Sequence, residues 1–183
     1  MDSREAKTLI SAMERVDLLL ATDIFSRANQ NHPLLQSAFI DLLICLRHLT
    51  WKSDREGFRV SFTDDLVLTA MVKDVTDAIK VVRDALCHPD SDHSHVIKGR
   101  AKRRGERSTE FGQGEVRFVV VYGKIPAAIR LPGELTIGSE YDDDVCFWFG
   151  TNKLYLKRHI LRAFEEAKRN LIPLFPAEFR RTP

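Results

Sequence analysis

The chain has 183 residues, of which 44% are hydrophobic and 30% charged. That is enough apolar content for one domain with a sizeable core, and no apolar run approaches the ~18–20 residues of a membrane span. The formal net charge is +2, which by itself singles out no polyanionic partner. The sign is unevenly spread, however. Residues 1–97 carry 11 Lys/Arg against 15 Asp/Glu, and residues 98–183 carry 17 against 11. Much of the excess lies in Lys98-Gly99-Arg100-Ala101-Lys102-Arg103-Arg104-Gly105-Glu106-Arg107, which reads either as a solvated loop or as a footprint for a polyanion. Cys45, Cys87 and Cys146 are far apart in apolar surroundings, as expected of thiols in a reducing cytoplasm and not of a disulfide frame. The first residues lack the basic-then-apolar layout of a secretory signal.

Taken in order, residues 3–28 read as a helix. Ala6, Leu9, Met13, Val16 and Leu20 recur at spacings of three and four, and Asp2 or Ser3 can cap the start. Pro33 suits the first position of a second helix, 33–53, whose wide stripe of Leu35, Ala38, Phe39, Leu42, Leu46 and Leu49 marks it as the most buried. A third helix is expected over 63–88, with Asp64 and Asp65 in its first turn and Leu66, Val67, Ala70, Met71, Val75, Ile79, Val82 and Leu86 inward. Pro89 disfavours helical backbone at His88, so this helix should stop near Cys87.

Residues 89–150 read as a long polar loop followed by a β insertion. The period becomes two over Val116–Tyr122; Pro132-Gly133 is a turn signal between Ile129–Leu131 and Leu135–Ile137; Val145–Phe149 reads as a buried strand. Three or four antiparallel strands are expected. A fourth helix, 151–172, should start at Thr151 or Asn152 and stop before Pro173. The whole, 1–183, is expected to be one mainly α domain: a four-helix up-and-down bundle with a small antiparallel β insertion between helices 3 and 4.

Chemistry is most concentrated at the end of the third helix, in Arg83-Asp84-Ala85-Leu86-Cys87-His88. On a continuous helix, Arg83 and His88 would point ~140° apart. Ending the helix before His88 frees the imidazole to turn toward the arginine. Asp84, four residues before His88, is placed to accept a hydrogen bond from one ring nitrogen. A guanidinium fork suits phosphate oxygens, and a histidine can take or give a proton near neutral pH. Together they suit metal-free cleavage of an RNA phosphodiester, in which the 2′-hydroxyl attacks its own phosphate.

This stretch, with the four-helix order, resembles the HEPN family of small helical bundles, many of which are ribonucleases. The family mark is an arginine, four to six residues and a histidine at the end of the third helix. The likeness covers about residues 3–89 and 151–172; the β insertion departs from the minimal family pattern. The resemblance implies a homodimer whose two motifs face each other, and a role in defence, in a toxin–antitoxin pair with an antitoxin protein as partner, or in RNA processing. His88 is then the general base or acid, Arg83 the phosphate ligand and Asp84 the residue that orients His88. Lys98, Arg100, Lys102, Arg103 and Arg104 would attract the RNA backbone. No cofactor and no metal are called for. The alternative is a non-catalytic module of the same fold that binds nucleic acid, a nucleotide or a protein.

The same spacing recurs at Arg27-Ala28-Asn29-Gln30-Asn31-His32, which reads as a surface turn between the first two helices. His88, Asp90, Asp92, His93 and His95 lack the spacings of known metal motifs. Asp142-Asp143-Asp144 reads as a solvated turn, with a magnesium site as its sharper alternative. Phe147, Trp148 and Phe149 read as core rather than as a base-stacking platform.

Overall fold

Helix α2 (Leu35–Arg55) is the element on which the others pack. In this computed structural model, which describes residues 1–88, 116–130 and 136–180, α1 (Ser3–Ala21), α3 (Val75–Cys87) and α4 (Arg162–Leu171) all lie against it. Its Phe39, Leu42, Leu43, Leu46 and Leu49 are completely buried, as a helix with an unusually wide apolar stripe requires. α1 is capped by Asp2, whose carboxylate accepts the Glu5 amide hydrogen bond at 2.7 Å. It stops at Ala21, and residues expected to prolong it form two short 3-10 turns, Asp23–Phe25 and Arg27–Asn29.

Five short strands follow α3: β1 (Val119–Tyr122), β2 (Ile125–Arg130), β3 (Thr136–Ser139), β4 (Val145–Phe149) and β5 (Asn152–Tyr155). They make two antiparallel sheets, β1-β4-β5 and β2-β3. The period-two pattern of β4 decides how the larger sheet is seated. Phe147 and Phe149 point into the helical core, with Phe147 stacked on Phe39 of α2 at 4.1 Å between ring centroids. Cys146 and Trp148 point the other way. They form a second small core with Val116, Val121, Tyr155 and Ile137 of β3. Among the described residues the architecture is thus four α-helices with two small antiparallel sheets between α3 and α4 in sequence.

Two helix starts differ from expectation. Residues 63–74 are not helical; α3 begins at Val75, twelve residues later than Thr63. Asp65 takes a positive φ of 57°, which no regular helix accommodates, and the true cap is Asp74, whose side chain accepts the Asp77 amide. Arg59 fixes this arrangement by binding Asp54, Asp74 and Asp77 at 2.7, 2.7 and 2.8 Å. The second difference concerns residues 152–161. Asn152–Tyr155 is strand β5, paired with β4 through a two-residue turn led by Gly150 at φ 56°. Leu156–Leu161 is then a π-helical segment leading into α4. Thr151 and Asn152 look like helix caps, but the turn glycine before them makes them the far side of a hairpin. The basic run at 98–107, the histidines of the loop and the Pro132-Gly133 turn lie outside the described residues.

Candidate functional site

The end of α3 falls where the sequence placed it. The helix stops at Cys87, and His88 follows in extended backbone at φ −122°, ψ 97°. Cys87 and His88 are exposed, while Arg83 and Asp84 are half-buried. The helix is held in place by Val75, Ala78, Ile79, Val82 and Ala85, all buried against the core. Its start is tied down by the Arg59 cluster and by Thr76, which donates to the Val60 carbonyl at 2.7 Å. His88 therefore stands exposed at the end of a buried, tied-down helix and off the regular helical backbone.

Asp84 has a different partner from the one foreseen. Its Oδ1 receives Nη1 of Arg83 at 2.9 Å. The pair neutralises part of the guanidinium charge and fixes one end of the fork. Nε of the same guanidinium is buried and has no hydrogen-bond partner. A second arginine, missed in the sequence, has the same unmet donor. Arg47 of α2 also has a buried Nε without a partner. Burial disfavours its charged form, and the nearby Arg83 charge adds to that effect. Arg47 reads in sequence as one polar residue on a helix face; the packing of α2 on α3 brings it within electrostatic reach of Arg83.

The remaining sequence candidates have structural partners. Arg27 is exposed and lines a depression of about 250 Å³ with Tyr122 and Asp142–Val145. His32 accepts the Leu34 amide through Nδ1 at 3.1 Å, which makes it a turn residue. Asp144 is buried, not solvated. Its carboxylate takes the amides of Val145, Lys157 and Arg158 and the Arg158 guanidinium, closing the start of the π-helical segment. Asp143 pairs with Arg158 at 2.9 Å, and that contact holds its carboxyl below the usual range. Among the described residues no group of three or more His, Cys, Asp or Glu is arranged to hold a metal ion. Phe147, Trp148 and Phe149 are buried in the two cores.

His159 is a histidine that the sequence pattern does not single out. It is completely buried in the π-helical segment, accepts the Tyr155 amide through Nδ1 at 3.0 Å, and donates from Nε2 to the Asp64 carbonyl at 2.8 Å. This tautomer follows because a backbone N–H can only donate. Burial lowers its proton affinity and keeps it neutral. It ties the loop before α3 to the start of α4 and is structural, whereas His88 is accessible.

Comparison with protein-family models finds none that matches the chain. The searches among curated proteins and among solved structures likewise return no match. Among the described residues no helix is long and apolar enough to cross a membrane. The functional reading therefore rests on the residues themselves.

Proposed function

We propose that this protein is a metal-independent endoribonuclease of HEPN type, working as a homodimer in defence or in a toxin–antitoxin pair. The observation that carries the reading is the end of α3. His88 leaves the helix in extended backbone and is exposed, five residues after a half-buried arginine. In this reading Arg83 holds the scissile phosphate and stabilises its developing charge. His88 takes the proton from the attacking 2′-hydroxyl or returns one to the leaving 5′-oxygen. Asp84 sets the Arg83 fork rather than the tautomer of His88. The run Lys98, Arg100, Lys102, Arg103 and Arg104 draws in the RNA backbone.

A second reading is favoured by that same Arg83–Asp84 pair. A carboxylate on the arginine at 2.9 Å competes with a phosphate, which suits a non-catalytic module that binds nucleic acid, a nucleotide or a protein partner. The experiment that separates the two is RNA cleavage in EDTA by the parent protein and by His88→Ala. The nuclease makes cyclic-phosphate ends and loses them in the variant. The binding module retains RNA with a steep salt dependence and makes no product.

A further inference from the structure

Residues 61–71 run over the surface between two buried anchors. Val60 and Val72 are 1% and 2% exposed, while no residue from Ser61 to Met71 is buried. The Val60 end is pinned by Thr76, which donates to its carbonyl at 2.7 Å. Phe62, Leu66 and Val67 are half-buried and the rest of the stretch is exposed, so apolar burial holds it less firmly than it holds the helices. Polar ties supply the rest. The Asp64 carboxylate takes the Arg162 guanidinium at 2.9 Å, the Asp65 carboxylate takes the Tyr141 hydroxyl at 2.7 Å, and the Asp64 carbonyl takes Nε2–H of His159 at 2.8 Å. The Phe62 carbonyl accepts the Val75 amide at 3.0 Å.

Of these ties, the one to His159 is made by a group that titrates near neutral pH. The imidazole is completely buried and both its nitrogens are committed. Nδ1 accepts the Tyr155 amide at 3.0 Å, so it cannot carry a proton while that bond stands. An imidazolium also cannot be left dry without a large cost. The ring packs against Tyr155 of the second core and Phe62 of the surface stretch. A charged ring therefore reaches water past Phe62 and Asp64. The charged groups around it are Asp64, Asp65, Asp144, Lys153, Arg158 and Arg162. Arg158 is taken up by Asp144 and Arg162 by Asp64. Asp65 and Asp144 favour a proton on the ring and Lys153 opposes it, but burial outweighs them and keeps the ring neutral.

We propose that residues 61–71 form a strap that is latched by His159 and released by protonation of its imidazole. The strap lifts between Val60 and Val72 and leaves the two cores intact. The latched form holds a neutral ring, and the released form holds an imidazolium in water beside the Asp64 and Asp65 carboxylates. The latch is complete above about pH 6.5, the ordinary pKa of a solvated histidine, and weakens as the pH falls below it. With no proton on the latched ring, the released population rises about thirtyfold from pH 7.5 to pH 5. The device is independent of the ribonuclease reading, since it concerns the segment that leads into α3 and not the Arg83–His88 end.

Amide hydrogen exchange on the full chain tests this, expressed as protection factors so that the intrinsic pH dependence of exchange is removed. The Tyr155 and Val75 amides report on the latch, because their acceptors are His159 and Phe62. The Leu46 amide, inside α2, reports on global unfolding. At pH 7.5 the two latch amides should exchange about tenfold or more faster than Leu46. Their protection should fall about thirtyfold on going to pH 5. Tyr141→Phe removes the Asp65 tie and should speed both latch amides about fivefold at either pH, with Leu46 unchanged. His159→Phe should abolish the pH dependence of the latch amides; if that variant is unfolded, the parent protein and Tyr141→Phe carry the test by themselves. Latch amides that exchange together with Leu46 at both pH values overturn the proposal, because His159 then opens only with the whole fold. So does protection that stays constant with pH, or that Tyr141→Phe leaves unchanged.

Discussion

Replacing His159 by phenylalanine should destabilise the fold in a way that depends on pH. The side chain is fully buried and meets two backbone groups, the Tyr155 N–H and the Asp64 C=O. Phenylalanine fills the space and satisfies neither. Two orphaned buried groups cost about 1–3 kcal/mol each, so the loss should be about 4 kcal/mol. That is a large part of a typical domain's ~5–15 kcal/mol. Burial lowers the affinity of His159 for a proton, against the opposing pull of the Asp64 carbonyl, Asp65 and Asp144. Its folded pKa therefore lies below the unfolded value of ~6.5. The stability it contributes is complete above about pH 6.5 and is lost as the pH falls below that value toward the folded pKa, because the unfolded chain binds the proton more readily. One proton changes stability by at most about 1.4 kcal/mol per pH unit, so up to about 2 kcal/mol disappears between pH 6.5 and 5. His48, also shifted down by burial, contributes to the parent and variant alike and drops out of their difference. Urea unfolding at pH 7.5 and pH 5 checks this. The gap between parent and His159→Phe should be about 4 kcal/mol at pH 7.5 and smaller at pH 5. A gap under 1 kcal/mol at pH 7.5, or one that stays constant with pH, refutes the assignment of His159 as a neutral structural tie.

Arg59→Gln should cost about 2–3 kcal/mol in the same assay. It leaves the buried Asp74 carboxylate without its cation and Asp54 and Asp77 unpaired, and a change within 0.5 kcal/mol would show that Arg59 does not hold the start of α3. The cysteines should differ in reactivity. Cys87 is exposed beside His88, while Cys146 is fully buried with its thiol pushed up to about 12 by burial. A thiol reagent should therefore label Cys87 in the native protein and Cys146 only on unfolding; mass spectrometry of native-state peptides would contradict this by finding Cys146 modified first. Alkylated Cys87 should also lower RNA cleavage, through bulk placed next to His88.

The sequence made α1 and α2 plain because their apolar residues recur on one helical face, and α2's extra leucines even ranked it as the most buried. Period-two alternation likewise revealed β1 and β4. Residues 63–74 misled because Leu66, Val67, Ala70 and Met71 keep a helical spacing although the chain does not use it: Ala70 is exposed and Met71 is 60% exposed. What overrides the pattern is the convergence of Asp54, Asp74 and Asp77 on Arg59, contacts between residues up to 18 positions apart that local spacing cannot carry. At the site, Pro89 and the apolar period located His88 at the helix end. Asp84's partner was not legible, because an acid adjacent to one candidate and four residues from another satisfies both spacings. Arg47 and His159 were hidden for one reason. Each is a single polar residue in an amphipathic helical pattern, and only tertiary packing distinguishes a buried tie or an unmet donor from a solvated side chain.

The most direct test of the central claim is an end analysis of RNA exposed to the protein in EDTA. The account predicts fragments ending in a 2′,3′-cyclic phosphate, a loss of about a hundredfold or more in rate for His88→Ala, and a comparable loss for Arg83→Gln. Fragments formed at an undiminished rate by His88→Ala, or no fragments from the parent protein over a varied set of single-stranded RNAs, would contradict it.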